Sequence, residues 1–473
     1  MRLINLIDNC GQLLKRIYNS SLSADRTTEQ FFLQKRKLIG SKERKFISQA
    51  VFTTIRNMLL LKKFVDINGV CEKLQHPSVF NNAPEHSIYV LLQILLSEGF
   101  PVEFSDLDVS FCHYQSDGKN ISVIESISCD LSIIKETEAF NNYLHNTLIS
   151  ELRAYFNLIN ESKNCATSNS LTNIELTAER YSFKPEFLSF IQKSIPTLDI
   201  ANFAPAMNTP AATCLRVNTS KADRGNVIQS LNDNGIECYY GEISPACIVL
   251  PKRHQLTTLD MYRQGWFGIQ DEASQLVGYA ASPQSNDIVL DACAGAGGKA
   301  LHIADLQCDS GTIICNDIVQ RKLLEIGKRA TLAGMHSIAT SKKMPIANIV
   351  LVDAPCSGSG TLRRDPMKKY TITEKTIQKI ASKQYDILCE YSKYVSDGGH
   401  LIYSTCSILP QENELIVQRF LNEHKEFAAE PLLPYFVRYG VHLDLGSNDF
   451  YITLYPHIHK TDGFFIARMQ KIQ

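Results

Sequence analysis

The chain has 473 residues, of which 44% are hydrophobic and 21% charged; this composition excludes a wholly disordered protein, and the length indicates about two to four domains. Its formal net charge of −1 excludes a protein that is basic overall, although a local basic face is enough to bind nucleic acid. The apolar stretch Tyr89–Leu96 is far shorter than the roughly 20 residues that span a bilayer. The first residues also lack the apolar segment and cleavage site of a signal peptide. We therefore expect a cytoplasmic protein without a membrane segment.

The 14 cysteines are spread from Cys10 to Cys406 and form no CxxC pair and no Cys/His cluster with zinc-binding spacing. This distribution indicates unpaired thiols in a reducing compartment and no metal site. Most of these cysteines are expected to be small buried hydrophobic residues.

Charge is distributed unevenly in the first third of the chain. Residues 1–70 hold 13 Lys and Arg against 5 Asp and Glu, a net of +8, whereas residues 71–160 hold 4 against 12, a net of −8. The apolar residues of the basic block have helical spacing, which leaves its basic residues, Arg56 included, on the expected surface. That surface is either a solvated face or a face that contacts phosphates.

Three domains are predicted from the change of pattern along the chain. Residues 1–160 show helical periodicity, which predicts an all-α domain with helices over Thr28–Leu38, Lys42–Lys63, His86–Ser97 and Glu136–Phe156. The Asn-, Ser- and Thr-rich segment Asn160–Asn173 is predicted to be a linker. Residues 171–261 are predicted to form a small α+β module with strands Ala212–Val217, Glu237–Tyr240 and Cys247–Leu250 and helix Lys221–Asp233.

Residues 262–473 alternate apolar strands with amphipathic helices. The predicted strands are Asp287–Leu290, Thr312–Cys315, Ile349–Val352 and Leu401–Tyr403. The helices between and after them include Val319–Ala333, Glu374–Val395 and Glu412–Asn422. This alternation predicts an α/β fold, a doubly wound and mostly parallel sheet.

A glycine-rich turn, DACAGAGGK, follows the first of these strands. Gly295, Gly297 and Gly298 let the backbone turn tightly and bring its N–H groups close to a ligand. Asp317 ends the next strand, 22 residues after Gly295, where its carboxylate can accept hydrogen bonds from ribose hydroxyls. By itself this pattern is compatible with a structural turn, a nicotinamide cofactor or S-adenosylmethionine (AdoMet).

Two cysteines follow the next two predicted strands. Cys356 lies in the sequence DAPCSGSG, which begins at Asp353, and Cys406 lies in the sequence STCS. Residues just past the carboxyl ends of neighbouring parallel strands converge on one crevice, where ligands bind. The sequence therefore predicts that both cysteines and Asp353 face the glycine turn.

These segments together resemble the RNA cytosine-5 methyltransferases of the RsmB/Nop/NSUN type. The matching pieces occur in order as FGIQDEAS (267–274), DACAGAGGK (291–299), Asp317, DAPCSGSG (353–360) with RRDP (363–366), STCS (404–407) with PQENE (410–414), and DGFF (462–465). The segment Phe31–Asn57 is similar to the NusB-like helical domain of bacterial RsmB members. The resemblance implies an AdoMet-dependent Rossmann-like methyltransferase domain at 262–473, preceded by an all-α NusB-like RNA-binding domain and the small α+β module.

The resemblance also implies a role for each reactive side chain. Cys406 is expected to attack carbon 6 of cytosine as a thiolate, and Cys356 to help resolve the adduct after carbon 5 loses its proton. Asp353, near N3 and the exocyclic amine, and Lys299, near the pyrimidine oxygen, are expected to stabilise charge that builds up during the addition.

The resemblance further implies AdoMet as cofactor and RNA as substrate, for a monomer that binds neither DNA nor a membrane. The NusB-like domain favours ribosomal RNA. The cofactor pocket is expected to be formed by Cys293, Ala294, Gly295, Ala296, Gly297, Gly298, Lys299, Asp317 and Asp353. RNA contacts are expected from Arg216, Asn218, Arg363 and Arg364, and from the neighbouring Lys368 and Lys369. No metal ion is expected.

The sequence departs from the family pattern after the third strand of this domain. Relatives carry an acidic residue there that contacts the adenine region, whereas Ser341–Pro345 reads SKKMP and offers no carboxylate. We therefore expect weaker cofactor binding than in relatives.

Two other functions remain open at this stage. A nicotinamide-dependent oxidoreductase explains the glycine turn but gives no role to Cys356, Cys406 and Asp353. An RNA-binding assembly or antitermination-type protein with a degenerate catalytic half explains the helical domain, but the intact cysteines argue against degeneracy.

Overall fold

The computed structural model describes residues 3–20, 22–68, 70, 83–97, 115–116, 119–120, 147–152, 154–155 and 171–472. The chain divides into two compact units. The first contains Met1–Gln192, Asp199–Asn208 and Arg364–Thr371; the second contains Lys193–Leu198, Thr209–Arg363 and Ile372–Gln473. The three domain boundaries predicted from the sequence stay a prediction.

The helices of the described residues are α1 (Leu3–Tyr18), α2 (Ala24–Gln34), α3 (Ser41–Arg56), α4 (Met58–Asn68), α5 (Pro84–Ser97), α6 (Leu171–Arg180), α7 (Pro185–Ser194), α8 (Ile200–Asn208), α9 (Arg224–Asp233), α10 (Asp260–Arg263), α11 (Glu272–Ala281), α12 (Gly298–Leu306), α13 (Gln320–Ala333), α14 (Lys368–Thr371), α15 (Glu374–Ser392), α16 (Glu414–Glu423), α17 (Leu433–Arg438) and α18 (Pro456–His459). The strands are β1 (Gln115–Ser116), β2 (Lys119–Asn120), β3 (Thr213–Val217), β4 (Tyr239–Tyr240), β5 (Cys247–Leu250), β6 (Phe267–Ile269), β7 (Ile288–Asp291), β8 (Thr312–Cys315), β9 (Ile338–Thr340), β10 (Ala347–Asp353), β11 (Val395–Thr405), β12 (Phe427–Ala429), β13 (Tyr451–Leu454) and β14 (Phe464–Lys471).

The first unit is built mainly from helices, as the sequence predicts. The predicted helix Lys42–Lys63 is two helices, α3 and α4, because the chain breaks at Asn57, whose buried amide donates to Gln93 Oε1 at 2.9 Å. Arg56 is buried, so its predicted place on the surface is wrong. Most of the predicted helix Glu136–Phe156 and of the linker Asn160–Asn173 lies outside the described residues.

The short helix α14 places a buried lysine inside the first unit. Lys369 is 0% exposed, and its Nζ donates to the carbonyl oxygens of Arg56 (2.7 Å) and Tyr181 (2.9 Å) and to Asn208 Oδ1 (2.7 Å). Burial, with the nearby charge of Arg56, holds the pKa of Lys369 well below its usual value. The predicted RNA contact of Lys369 is therefore wrong, because its amine is enclosed and bonded within the protein.

The second unit begins with a four-stranded antiparallel sheet in the order β4–β5–β3–β6. Helix α9 contributes Val227 and Leu231 to a core that also contains Leu215 of β3 and Ile248 of β5. These elements form the α+β module that the sequence predicts. The β6 strand, which carries the start of FGIQDEAS, closes one edge of this sheet.

The larger sheet of the second unit has eight strands in the order β12–β14–β11–β10–β7–β8–β9, with β13 paired to β14. The pairs from β11 to β9 are parallel, and the pairs made by β14 are antiparallel. In β10, Ile349 and Leu351 pack in one core while Val350 and Val352 pack in another, so both faces of the sheet are covered. The predicted α/β fold with a mostly parallel sheet is confirmed.

No helix among the residues that the structure describes is long and apolar enough to cross a membrane.

Candidate active site

The glycine turn between β7 and α12 needs glycine at two positions. Gly295 and Gly297 have φ angles of +57° and +80°, in the left-handed region that residues with a Cβ disfavour. A Cβ at Gly297 would also lie 3.0 Å from Ile326 Cγ1. The turn therefore brings backbone N–H groups at the start of α12 to the carboxyl end of the sheet.

Asp317 lies just beyond β8 and contacts this turn. Its Oδ2 accepts hydrogen bonds from the Gly295 N–H at 3.0 Å and from Lys322 Nζ at 3.1 Å, and its Oδ1 accepts one from the Val319 N–H at 2.8 Å. Only 6% of the Asp317 side chain is exposed. The structure thus brings together the turn and the carboxylate that the sequence predicts as partners.

Three carboxylates, those of Asp291, Asp317 and Asp353, lie near one another at this end of the sheet. Burial and the nearby Asp353 and Asp317 raise the pKa of Asp291 to about 7, although Lys299 opposes the shift. Burial and the same three carboxylates raise the pKa of Cys293 to about 12. Because Asp353 pairs with Lys299 and Asp317 pairs with Lys322, this end of the sheet holds two ion pairs and one buried carboxyl group.

Lys299 and Asp353 form an ion pair between the glycine turn and the end of β10. Lys299 Nζ lies 2.6 Å from Asp353 Oδ2, and Ser404 Oγ donates to Asp353 Oδ1 at 3.1 Å. The Lys299 amine also lies 5.2 Å from the centroid of the Phe464 ring. The two paired side chains are 11% and 30% exposed, so the pair is reachable from outside the protein.

The two predicted cysteines meet beside this ion pair. Strands β10 and β11 are parallel, with Asp353 level with Ser404, so the loops that follow leave the sheet side by side. The Sγ atoms of Cys356 and Cys406 lie 3.1 Å apart, and both residues are partly exposed. The prediction that both cysteines lie in one crevice agrees with this geometry.

The DGFF segment supports the loop that carries Cys356. The Gly463 N–H donates to the Gly360 carbonyl oxygen at 2.8 Å, and the Gly360 N–H donates to the Cys406 carbonyl oxygen at 3.0 Å. A Cβ at Gly360 would lie 2.0 Å from the Gly463 oxygen. Glycine is required at Gly360 because two backbone segments approach too closely for a side chain.

Arg216 and Asn218 are buried at the edge of the α+β module. Arg216 Nε donates to Gln270 Oε1 at 3.0 Å, and its Nη1 lies 3.5 Å from Asp305 Oδ2. Asn218 Nδ2 donates to the carbonyl oxygens of Gly265 and Ala333 at 2.9 and 3.0 Å. Both side chains hold protein segments together as placed, and RNA contact by either residue stays a prediction.

Arg363 and Arg364 are half-buried and belong to different units. Arg363 Nη1 donates to the carbonyl oxygens of Lys460 and Thr461 at 3.4 and 3.3 Å. Their contact with RNA also stays a prediction.

Sequence reasoning missed two residues of this site. The motif presents Asp291 only as its first residue, yet the carboxyl group is buried beside Asp353 and Lys299 and its pKa is raised to about 7. Glu412 was read only as part of PQENE, yet it is completely buried between the two cysteine loops. A buried acid inside a matching motif is the signal that identifies such residues.

The sheet order and the placement of the site define a Rossmann-like methyltransferase. The α+β module matches a family described as RsmF/B-like, ferredoxin-like domain, over residues 187–257, and residues 279–470 match 16S rRNA methyltransferase RsmB/F. A solved methyltransferase homologue from Pyrococcus horikoshii is 26% identical, with a TM-score of 0.53 over 64% of this chain and 99% of that one.

The chain belongs to the RsmB/F family of ribosomal RNA methyltransferases. The probable ribosomal RNA small subunit methyltransferase B of Coxiella burnetii is 30% identical over 64% of this chain and 71% of its own length. The protein of the same name from Bacillus subtilis is 35% identical, over 55% of this chain and 60% of its own length. The match thus spans less than two thirds of the Bacillus protein. The predicted family is confirmed.

Proposed function

We propose that this chain transfers a methyl group from AdoMet to carbon 5 of a cytosine in ribosomal RNA, through a covalent bond between Cys406 and the base. The observation that carries the proposal is the pair of thiols, 3.1 Å apart, at the carboxyl ends of β10 and β11. Carbon 5 of cytosine is a poor nucleophile, and a thiolate added at carbon 6 makes it electron-rich. A second thiol, that of Cys356, lies where it can assist the later release of the Cys406 thiolate from carbon 6.

Each cysteine has one role in this scheme. Cys406 adds to carbon 6, and the bond between its sulfur and the ring makes carbon 5 nucleophilic. After carbon 5 has gained a methyl group, loss of its proton expels the Cys406 thiolate and restores the aromatic ring. Cys356 assists this last step, and its position beside Cys406 supports that role.

The ion pair of Lys299 and Asp353 is proposed to orient the base and to stabilise the charge that develops on the ring. Attack at carbon 6 pushes electron density onto N3 and the pyrimidine oxygen. Lys299 donates toward that oxygen, and Asp353 accepts a hydrogen bond from the exocyclic amine next to N3. Because the two side chains are already paired at 2.6 Å, their charges are oriented before the base arrives.

The residues around the glycine turn fit AdoMet. AdoMet, when bound, supplies a methyl group on a positively charged sulfonium, and it also carries an ammonium group. Asp317, whose carboxylate already accepts from the Gly295 N–H and from Lys322 Nζ, is the proposed partner of the ribose hydroxyls. A nicotinamide-dependent oxidoreductase gives no role to the two thiols, 3.1 Å apart, or to Asp353 beside them, so this arrangement favours AdoMet over the oxidoreductase alternative.

In this proposal an apolar side chain, that of Ile318, contacts the adenine. Ile318 directly follows Asp317 and is 91% exposed. Ser341–Pro345 after β9 still offers no carboxylate to the adenine edge. A contact between Ile318 and the adenine face removes apolar surface from water and needs no acidic partner.

A cytosine reaches this site only when it leaves the base stack or lies in an unpaired loop. Arg363 and Arg364, which follow the Cys356 loop in the sequence, are the proposed contacts for the RNA backbone near the base. The exposed basic residues of the first unit are the proposed contacts for more distant phosphates.

Bisulfite sequencing of ribosomal RNA tests the function. We expect one cytosine or a few to be protected from conversion in cells that carry this gene and to lose protection when the gene is deleted. Restoring the wild-type gene should restore protection, and a Cys406→Ala gene should not. Unchanged protection after deletion contradicts the proposal, and so does rescue by Cys406→Ala. An RNA-binding assembly protein would give no difference between these strains.

A further inference from the structure

A single buried carboxylate joins the two loops that carry the cysteines. Glu412 ends the 3₁₀ turn Pro410–Glu412 after β11 and is 0% exposed. Its Oε1 accepts from the Ser357 N–H at 2.7 Å, and its Oε2 accepts from Ser357 Oγ at 2.5 Å and from Ser407 Oγ at 2.6 Å. Ser357 directly follows Cys356, and Ser407 directly follows Cys406.

The chemistry of this junction calls for a carboxylate. An ionised carboxylate is an acceptor at every lone pair, so it can receive the three donors of the two serines at once. Charged acceptors also form shorter and stronger bonds than neutral ones, which suits a buried group with uncharged donors. A glutamine of the same shape would present an NH₂ group to one of these donors and lose that bond.

Neighbouring bonds fix the carboxylate and the loops. Tyr403 OH donates to the Glu412 carbonyl oxygen at 2.7 Å, which anchors its backbone. Ser359 Oγ and Ser407 Oγ lie 2.8 Å apart, so the loops also touch directly. Ser359 also donates its N–H to Ser357 Oγ at 3.2 Å, so it bonds to both serines as well, but Glu412 is the carboxylate on which their donors converge.

We infer that Glu412 is a positioning residue that sets the distance between the Cys356 and Cys406 thiols. It touches neither thiol and acts through Ser357 and Ser407. Its catalytic consequence rests on the proposed function: a displacement of about 1 Å in a reacting group can cost about 100-fold in rate. The thiol distance itself does not depend on that function.

The first measurement is disulfide formation in the purified full-length protein, without RNA or cofactor. Diamide takes two electrons and two protons from a pair of thiols and leaves a disulfide. The Sγ atoms need to close from 3.1 Å to about 2.05 Å, so we expect rapid formation of the Cys356–Cys406 bond in the wild type. Peptide mass spectrometry identifies this bond among the 14 cysteines.

Glu412→Gln is the test variant, and Glu423→Gln, at an exposed glutamate on α16, is the matched control. We expect Glu412→Gln to slow this disulfide at least tenfold and Glu423→Gln to leave its rate unchanged. In the methyltransfer assay Glu412→Gln should lower kcat by about 100-fold, with KM for RNA and AdoMet affinity close to wild type.

Ser357→Ala and Ser407→Ala are the second test, since each removes one hydroxyl donor and keeps the carboxylate. Each should slow formation of the disulfide by less than Glu412→Gln does. If Glu412→Gln does not fold, the two serine variants test the inference in its place. A wild-type disulfide rate in folded Glu412→Gln, or in both serine variants, overturns the inference, as does failure of the wild type to form this bond. Slowed oxidation with no methyl transfer even in the wild type would keep the positioning role and reject the proposed function.

Discussion

The thiols of Cys356 and Cys406 are 3.1 Å apart although the two residues are 50 positions apart in the sequence. The parallel register of β10 and β11, with Asp353 level with Ser404, produces this approach. Two thiols at one place, beside a lysine–aspartate pair, are suited to forming a covalent bond to a base and then breaking it.

The two cysteines should respond differently to substitution. Cys406→Ala removes the nucleophile, so no adduct and no methyl transfer are expected. Cys356→Ala leaves attack possible and impairs release, so a protein–RNA adduct should accumulate and survive denaturing electrophoresis. Cys389→Ala, at a cysteine on α15, is the control and should behave as wild type. Accumulation of the adduct in Cys406→Ala instead would reverse the two roles.

Asp317 should control cofactor affinity. Asp317→Ala removes a charge-assisted hydrogen bond of about 1.5–3 kcal/mol, so the Kd for AdoMet should rise about 10- to 100-fold. Asp397→Ala, at an exposed aspartate, should leave the Kd unchanged. Titration calorimetry measures both values. An Asp317→Ala protein that is folded and binds AdoMet with wild-type affinity would refute the ribose-binding role.

Asp291 should make the stability of the cofactor-free protein depend on pH. Burial raises its folded-state pKa to about 7 from the ordinary value of 3.8, so the folded state holds this proton more tightly than the unfolded state. The stabilisation is complete below the unfolded pKa and is lost as pH rises through the folded pKa. Relative to Asp291→Asn, the wild type should lose about 1.4 kcal/mol of unfolding free energy per pH unit between about pH 4 and 7.

Urea denaturation of both proteins at several pH values measures this difference. Above about pH 7 the two curves should run parallel, because Asp291 is then ionised in both states. If the unfolding free energies of the two proteins run parallel over the whole pH range, burial does not raise the pKa of Asp291.

The basic residues near the start of the chain should contribute to RNA binding. Arg36, Lys37 and Lys42 are exposed, and replacing all three with Gln should lower the slope of log affinity against log salt by about 2 for single-stranded RNA. The control replaces three exposed lysines of α15, Lys375, Lys379 and Lys383, and should leave the slope unchanged. Equal changes in the two variants would assign the effect to overall charge and not to this surface.

Strong local patterns made the centre of the fold predictable. Apolar strands that alternate with amphipathic helices predicted the parallel sheet, and the turn glycines Gly295 and Gly297 have the positive φ angles that only glycine adopts readily. The sequence does not predict strand β14, because its antiparallel pairings with β11, β12 and β13 depend on tertiary context, whereas a strand prediction uses only nearby residues.

Buried charged residues were the hardest to predict. Lys369 follows the Cys356 loop and has the sequence context of a surface lysine, yet its three acceptors belong to Arg56, Tyr181 and Asn208, which are distant in the chain. Arg216 is buried in the same way by its approach to Asp305. Such burial depends on tertiary partners that a sequence pattern does not reveal.

The most direct test of the covalent mechanism uses RNA in which the target cytosine carries fluorine at carbon 5. Fluorine replaces the proton that carbon 5 must lose, so the reaction should stop with the base bonded to the protein. With wild-type protein and AdoMet, mass spectrometry of the digested complex should find a methylated 5-fluorocytosine on the peptide that contains Cys406. Absence of a covalent complex, or a base attached to Cys356, would contradict the account.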